Sequence, residues 1–176
     1  MIKKIFIFLL FKILFSNYCF AINIVVIDLE EIIDNNKNYM EAIAKIEDDQ
    51  KLNSKDLNTI EIELNSMYEE IEDSKLLLNE NELNNLITNY NNQLSDFSNK
   101  VDLFNLHYEK QIIDIRKTIL AEIIKIVEKY AKNNNIDLIL DSSSYLIATN
   151  EINITNIIKN TLDNVNLILE FKSFEN

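Results

Sequence analysis

Between residues 39 and 78 the chain carries a stripe whose members recur in alternating steps of four and three: Tyr39, Ile43, Ile46, Gln50, Asn53, Leu57, Ile60, Leu64, Met67, Ile71, Ser74 and Leu78. That spacing keeps one face of a helix against a partner helix, and with acids and lysines on the flanking positions it predicts a coiled coil. The polar members Gln50, Asn53 and Ser74 lower its stability and restrict its register. Asn38 and Glu41 have the spacing of a capping box, so the first long helix is expected to begin there. Asn79 and Glu82 repeat that spacing after residue 78, which makes residues 79–82 a tight tip that closes one helix and opens the next. A second stripe follows: Ile87, Tyr90, Leu94, Phe97, Val101, Phe104, Tyr108, Ile112, Ile115, Ile119, Ile123, Ile126 and Tyr130. The consecutive steps of four from Phe104 to Tyr108 to Ile112 read as a stutter, which straightens a supercoil locally. At 1.5 Å per residue the two helices are about 60 and about 75 Å long, so the second overshoots the first.

The flanks have a different period. Residues 22–29 are a short, β-branched, nearly continuous apolar run, the pattern of a strand buried on both faces. Residues 30–34 add a helical turn, and Asn133, Asn134 and Asn135 stop the second long helix. Residues 136–141 and 145–149 read as two strands joined by a hairpin loop at Asp141, Ser142, Ser143 and Ser144. Helical spacing returns with Ile154, Ile157, Ile158, Leu162 and Val165, and residues 166–176 form an apolar and charged tail without an assignable element. The expected fold class is α+β: a long antiparallel α-helical coiled-coil hairpin (38–132) inserted into a small β body (22–37 and 133–166), with the tail (167–176) outside it.

Composition narrows the function. The chain has no Gly and no Pro, which removes Gly-rich phosphate loops, dinucleotide fingerprints and nucleophile elbows. It also holds 27 Asn among 176 residues, in keeping with a nucleotide bias that a helical protein tolerates. Residues 1–21 have the form of a secretory signal peptide: basic Lys3 and Lys4, an apolar stretch over 5–15 interrupted by Lys12, and Cys19 and Ala21 at the small-residue positions of a cut after Ala21. The stretch is shorter than the roughly 20 apolar residues of a membrane-spanning helix; uncleaved, it would act as an anchor. Cleavage leaves 14 basic and 29 acidic residues, a net charge of −15, and no cysteine. So acidic a protein is poorly suited to nucleic acid or anionic headgroups.

No catalytic constellation emerges, and no enzyme, cofactor or metal site is expected. His107 is the single histidine and sits beside stripe residue Tyr108, the position of a partly solvated flank. The acid pairs Asp48–Asp49, Glu61–Glu63 and Glu69–Glu70 read as solvated outward faces.

About 30 residues of strand and terminal helix make too small a core to carry two long helices, and the sheet edges would stand open, so self-assembly of the body is expected. In its order of elements the chain resembles the Skp or OmpH-like periplasmic chaperones. The resemblance rests on the signal-like segment, the apolar run at 24–29, the heptad hairpin, the segment 135–141 directly after it, and the closing helix at 154–166. It implies a jellyfish-like homotrimer whose hairpins surround a cavity that holds unfolded outer-membrane proteins in the periplasm without ATP. Body contacts would then fall on Val25, Ile27, Leu138 and Leu140. Apolar residues off the stripes, namely Ile62, Tyr68, Leu76, Leu77, Leu86, Leu103, Leu106 and Ile113, are free to face a client, where many small contacts give avidity without sequence specificity. The family's lipopolysaccharide site is not carried over, because its basic residues are replaced here by an acidic tip, Asn79, Glu80, Asn81 and Glu82. An envelope coiled-coil scaffold or adaptor, kept on the membrane by an uncleaved signal, is the alternative.

Overall fold

A computed structural model of the chain describes residues 22–175; the signal-like segment, with Lys12 and Cys19, lies outside the described residues. The described chain runs β1 (Ile24–Ile27), α1 (Leu29–Asp34), α2 (Lys37–Ser74), α3 (Glu80–Asn134), β2 (Leu138–Asp141) and α4 (Thr155–Leu162), with single 3-10 turns at Ser142–Ser144 and Asn150–Ile152. It is mostly helical. A long helix pair stands on a small strand region, as the two stripes demand.

The pairing of α2 with α3 is antiparallel. Every member of the first stripe is buried or half-buried, and cross-helix contacts step inward from Tyr68–Tyr90, whose ring centroids are 6.1 Å apart, to Asn53–Tyr108 at 3.1 Å. The second stripe holds except at Leu94 and Ile112, which are exposed. Gln111, beside Ile112, is half-buried where the C-terminal tail crosses it, its Oε1 accepting from Lys172 N at 3.2 Å. Among the buried members, consecutive four-residue steps fall at Ile115, Ile119 and Ile123, where α3 enters the body. At 1.5 Å per residue α2 is about 57 Å and α3 about 82 Å long, and the excess of α3 builds the root.

Three asparagines punctuate these helices in place of glycine. The capping box at the start of α3 forms as its spacing predicts: the Asn79 side chain accepts from Glu82 N at 3.1 Å, and Glu82 accepts from Asn79 N at 3.3 Å. Asn135 closes α3 in the left-handed region at φ 52°, which Asn tolerates better than other residues bearing a Cβ. At the start of α2 the cap is Asn36, not Asn38. The Asn36 Oδ1 accepts from Tyr39 N at 3.1 Å, while its Nδ2 donates to Asp163 Oδ1 at 3.3 Å. Asn36 is 1% exposed, and this tertiary bond to the end of α4 selects it over a residue two positions on.

The sheet differs from the predicted hairpin. β1 and β2 are parallel, with Ile24 opposite Leu138 and Ile27 opposite Asp141, so the whole helical hairpin is the crossover between them. Residues 145–149 form no strand. The Asp141 carboxylate accepts from Ser143 N at 3.1 Å and Ser143 Oγ at 2.6 Å, which winds the serines into a 3-10 turn. That leaves Leu146 and Ile147 projecting into solvent, 100% and 87% exposed, with no strand beside them among the described residues. Asn153 instead bridges to Val26.

One apolar cluster locks the root: Val25 and Ile27 of β1, Ile32 and Ile33 of α1, Ile119 and Ile123 of α3, and Ile154, Ile158 and Leu162 around α4. Polar bonds fix its rim. Asp28 caps α1 through Glu31 N at 2.9 Å, Thr155 Oγ1 accepts from Asp28 N at 2.9 Å, and Asp141 Oδ1 accepts from Leu29 N at 3.1 Å. Burial is the largest influence on the Asp141 carboxyl and pushes its pKa up, but the bonds from Ser143, Leu29 and Ser142 prevail and hold it below the ordinary carboxylate value.

Candidate functional site

The residues expected to face a client occupy three settings. At the tip, Leu76 and Leu77 lie in the turn after α2 and are 96% and 83% exposed. Along α3, Leu103, Leu106 and Ile113 are each more than half exposed. With 3.6 residues per turn these three and Ile124 fall within about 80° of one another, on the side of α3 turned away from α2. They form an apolar stripe distinct from the one consumed in the hairpin. On α2, Ile62 stands exposed, whereas Tyr68 turns its ring toward Tyr90 and serves the hairpin as well. Leu86 is half-buried. Sequence reasoning passed over Leu52 and Ile124, both exposed apolar residues; the angular position of Ile124 relative to Leu106 and Ile113 would have included it.

Of the body residues, Val25 and Ile27 are buried within the single chain, Leu138 is exposed and Leu140 half-buried. Apolar side chains that one chain leaves open in this region include Ile22, Leu138, Leu146, Ile147 and Ile157.

A second polar site lies lower on the hairpin, around Asp49. The sequence placed Asp49 on a solvated outward face with Asp48, but its carboxylate is half-buried and accepts from Tyr108 Oη at 2.6 Å, Phe174 N at 3.1 Å and Ser173 Oγ at 2.5 Å. Partial burial is again the largest influence on Asp49 and raises its pKa; the donors from Ser173, Tyr108 and Phe174, with the nearby His107, outweigh it and keep the group below its usual 3.8. Tyr108 is driven the other way. Desolvation, then the bond to the Asp49 carboxylate, push its phenol to about 12. A tyrosine within a buried stripe needs a partner for its hydroxyl, and that requirement was the available signal for an acceptor on α2. His107 is the half-buried flank expected of it, and its ring faces both Tyr108 and Phe174.

The tail supplies the rest of this site. Leu169, Phe171 and Phe174 pack on Ala42, Ile46, Phe104, Tyr108 and Ile115, so residues 167–175 run back up the hairpin from the root. Between Phe174 and the outer stripe residues Leu103 and Leu106 lies an open groove of about 740 Å³. Among the described residues no group of His, Cys, Asp or Glu is placed to hold a metal ion, and no helix is long and apolar enough to cross a membrane.

A long antiparallel helix pair that leaves a small strand body and returns to it, carrying an unshared apolar stripe on its outer face, defines a hairpin-armed protein built around its surfaces. The family model for outer membrane protein (OmpH-like) matches residues 23–162. The chain belongs to the OmpH-like family. Among solved structures it is similar to a candidate outer membrane chaperone (OmpH-like) from Caulobacter crescentus CB15, with a TM-score of 0.67 at 11% identity over 81% of this chain and 85% of that one. At that identity the likeness is one of fold. No curated protein matches the chain by sequence.

Proposed function

We propose that the protein is an ATP-independent periplasmic holdase that keeps unfolded outer-membrane proteins soluble between its helical arms. Family membership supports a chaperone-type role. The observation that carries the reading furthest is the outer stripe of Leu103, Leu106, Ile113 and Ile124, with Leu76 and Leu77 at the tip. Exposed apolar side chains repeated along the outer side of a helical arm, here with Lys110 and Lys117 between them in the same sector, contribute little to the fold of the arm and cost solubility unless something covers them. An unfolded polypeptide, rich in short apolar segments, covers such a stripe through many weak contacts whose sum is tight and whose specificity is low.

Self-assembly through the other end of the molecule, as the homotrimer that the family resemblance implies, is part of the proposed function. A two-stranded sheet whose β1 edge is taken by Asn153 but whose β2 has no further strand beside it among the described residues, with exposed Leu138, Leu146 and Ile147, is the kind of surface that copies of a chain bury against each other. Several hairpins would then project from one body and enclose a space.

The arms hold few cations toward their ends: from residue 56 to residue 99 the chain has ten acids and one lysine, Lys75, which pairs with Glu72 at 2.5 Å. Attraction to lipopolysaccharide phosphates is accordingly not part of the function, and client binding is apolar and tolerant of salt. The test is whether purified protein prevents several chemically different unfolded β-barrel proteins from aggregating without nucleotide, at low and at moderate salt. Protection of all of them at both salt levels is the expected result. Protection of a single one would instead favour a partner-specific adaptor, and protection of none would end the holdase reading.

A further inference from the structure

The tail is bound to the hairpin as a peptide is bound to a receptor. From Val165 to Phe171 it alternates half-buried and exposed residues, the period of an extended strand, yet among the described residues no strand pairs with it. Its main chain is met by side chains. The Lys172 N–H donates to Gln111 Oε1 at 3.2 Å, the Lys172 carbonyl lies 2.9 Å from His107 Nε2, and the Phe174 N–H donates to Asp49 Oδ2. Both helices take part, α2 through Asp49 and α3 through His107 and Gln111. Only two side chains near the tail's end are read closely: the Ser173 hydroxyl by Asp49, and the Phe174 ring by Phe104 and His107, edge to face with centroids 5.4 Å away in each case. Recognition that depends on backbone groups, one closely read aromatic ring and the less specific apolar packing of Leu169 and Phe171 accepts many sequences.

We propose that this cleft is a binding site for an extended aromatic-bearing segment of an unfolded polypeptide, and that residues 167–175 occupy it in the resting molecule as an internal competitor. Three features carry the assignment: the strand-like form of the tail, the three main-chain groups caught by helix side chains, and the open groove that continues from Phe174 to the outer stripe at Leu103 and Leu106. A client segment arriving along that stripe meets the cleft at its end, and must displace the tail to enter. The identity of the competitor rests on the holdase reading; the cleft itself does not. A tethered segment acts at high effective concentration, so a docked tail lowers the apparent affinity for anything that needs the same cleft in proportion to the fraction of molecules left open.

The experiment uses the full chain and its Phe174→Ala variant, with a fluorescent synthetic peptide of residues 166–176 as probe and an unfolded β-barrel protein as competitor. Circular dichroism first checks that the variant retains its helices; Ser173→Ala, a smaller change on the exposed tail, provides a second release variant. The expected result is peptide binding at least about tenfold tighter to the release variants than to the parent chain, and client binding strengthened in the same order. The client should also displace the peptide, and a peptide carrying alanine for its Phe174 should not bind. Equal peptide affinity for parent and folded variants, or indifference to the aromatic ring, would overturn the cleft. Should the client be held in solution yet leave the peptide in place, the competitor would be wrong. Failure to hold any client would strike the holdase reading while the peptide measurements still decided the cleft.

Discussion

Replacing Ile119 and Ile113 separately by alanine removes the same atoms from the same helix, six residues apart, in two environments that should answer differently. Ile119 is 0% exposed and packs in the root cluster with Val25, Ile27, Ile32, Ile123 and Ile158. Truncation there costs the transfer free energy of the lost carbons plus the cavity left among side chains from four elements, about 2–5 kcal/mol. Ile113 is 55% exposed, so less than half of its apolar surface leaves water on folding. Its contribution is under about 1 kcal/mol at the usual 25 cal/mol per Å². Urea unfolding followed by circular dichroism at one fixed protein concentration reads both, the fixed concentration being needed because assembly adds to apparent stability. In the aggregation assay the order should reverse: Ile113→Ala lowers client holding with the fold intact, whereas Ile119→Ala acts through stability. If Ile113→Ala proved as destabilising as Ile119→Ala, the outer stripe would be covered by the protein itself, and the argument that clients cover it would be refuted.

Further expectations concern the cap, the clasp and the body. Asn36→Ala should cost about 1–3 kcal/mol, since it leaves the half-buried Tyr39 N–H without its cap and removes the bond to Asp163, while Asn38→Ala, on the same turn, should cost under about 0.5 kcal/mol; urea midpoints separate them. Tyr108 should titrate near pH 12 in ultraviolet difference spectra and fall toward its ordinary 10.0 in Asp49→Asn. Because its folded pKa is raised, its contribution to stability is complete below pH 10 and is lost as pH rises toward 12. Asp49 has the opposite sign: with its folded pKa below 3.8, its share of tail docking is complete above that value and is lost on further acidification. Hydrogen exchange at Phe174 N–H should therefore accelerate below pH 3.8 relative to the intrinsic rate, as long as the helices remain. Finally, Leu146→Asp with Ile147→Asp should convert assembled protein to single chains in native mass spectrometry without loss of helicity, because both side chains are free of the chain's own core.

What the sequence disclosed and what it withheld divide along physical lines. Periodicity reports burial between neighbouring helices, so every position of the first stripe was legible, and so was the capping box at Asn79. Leu94 and Ile112 fit the period but are exposed, and beside Ile112 it is Gln111 that is half-buried, at the point where the tail crosses the helix. The start of α2 was misplaced by two residues because Asn36 and Asn38 both suit a cap locally, and the deciding bond goes to Asp163, far along the chain. Residues 145–149 have the composition of a strand, but strands exist only in pairs, and the described residues offer them no partner. The tail and Asp49 were opaque for a related reason. An extended segment held by side chains has no hydrogen-bond period of its own, and an acid beside a heptad position resembles solvated charge until the donor arrives from residues 173 and 174. The outer stripe was legible in part, through Leu103, Leu106 and Ile113, since apolar residues left over after the seam is assigned must face something else.

That something else is the point on which the account turns. A photo-crosslinking residue placed at Leu103, at Ile113, and at the exposed polar position Asn105 of the same helix, in three separate proteins mixed with a denatured β-barrel protein diluted into buffer without nucleotide, asks directly where the client lies. Strong adducts from positions 103 and 113, with few from position 105 and none when the β-barrel protein has been folded beforehand, are the predicted result. Equal labelling from all three positions, or adducts only between copies of the chain, would contradict it.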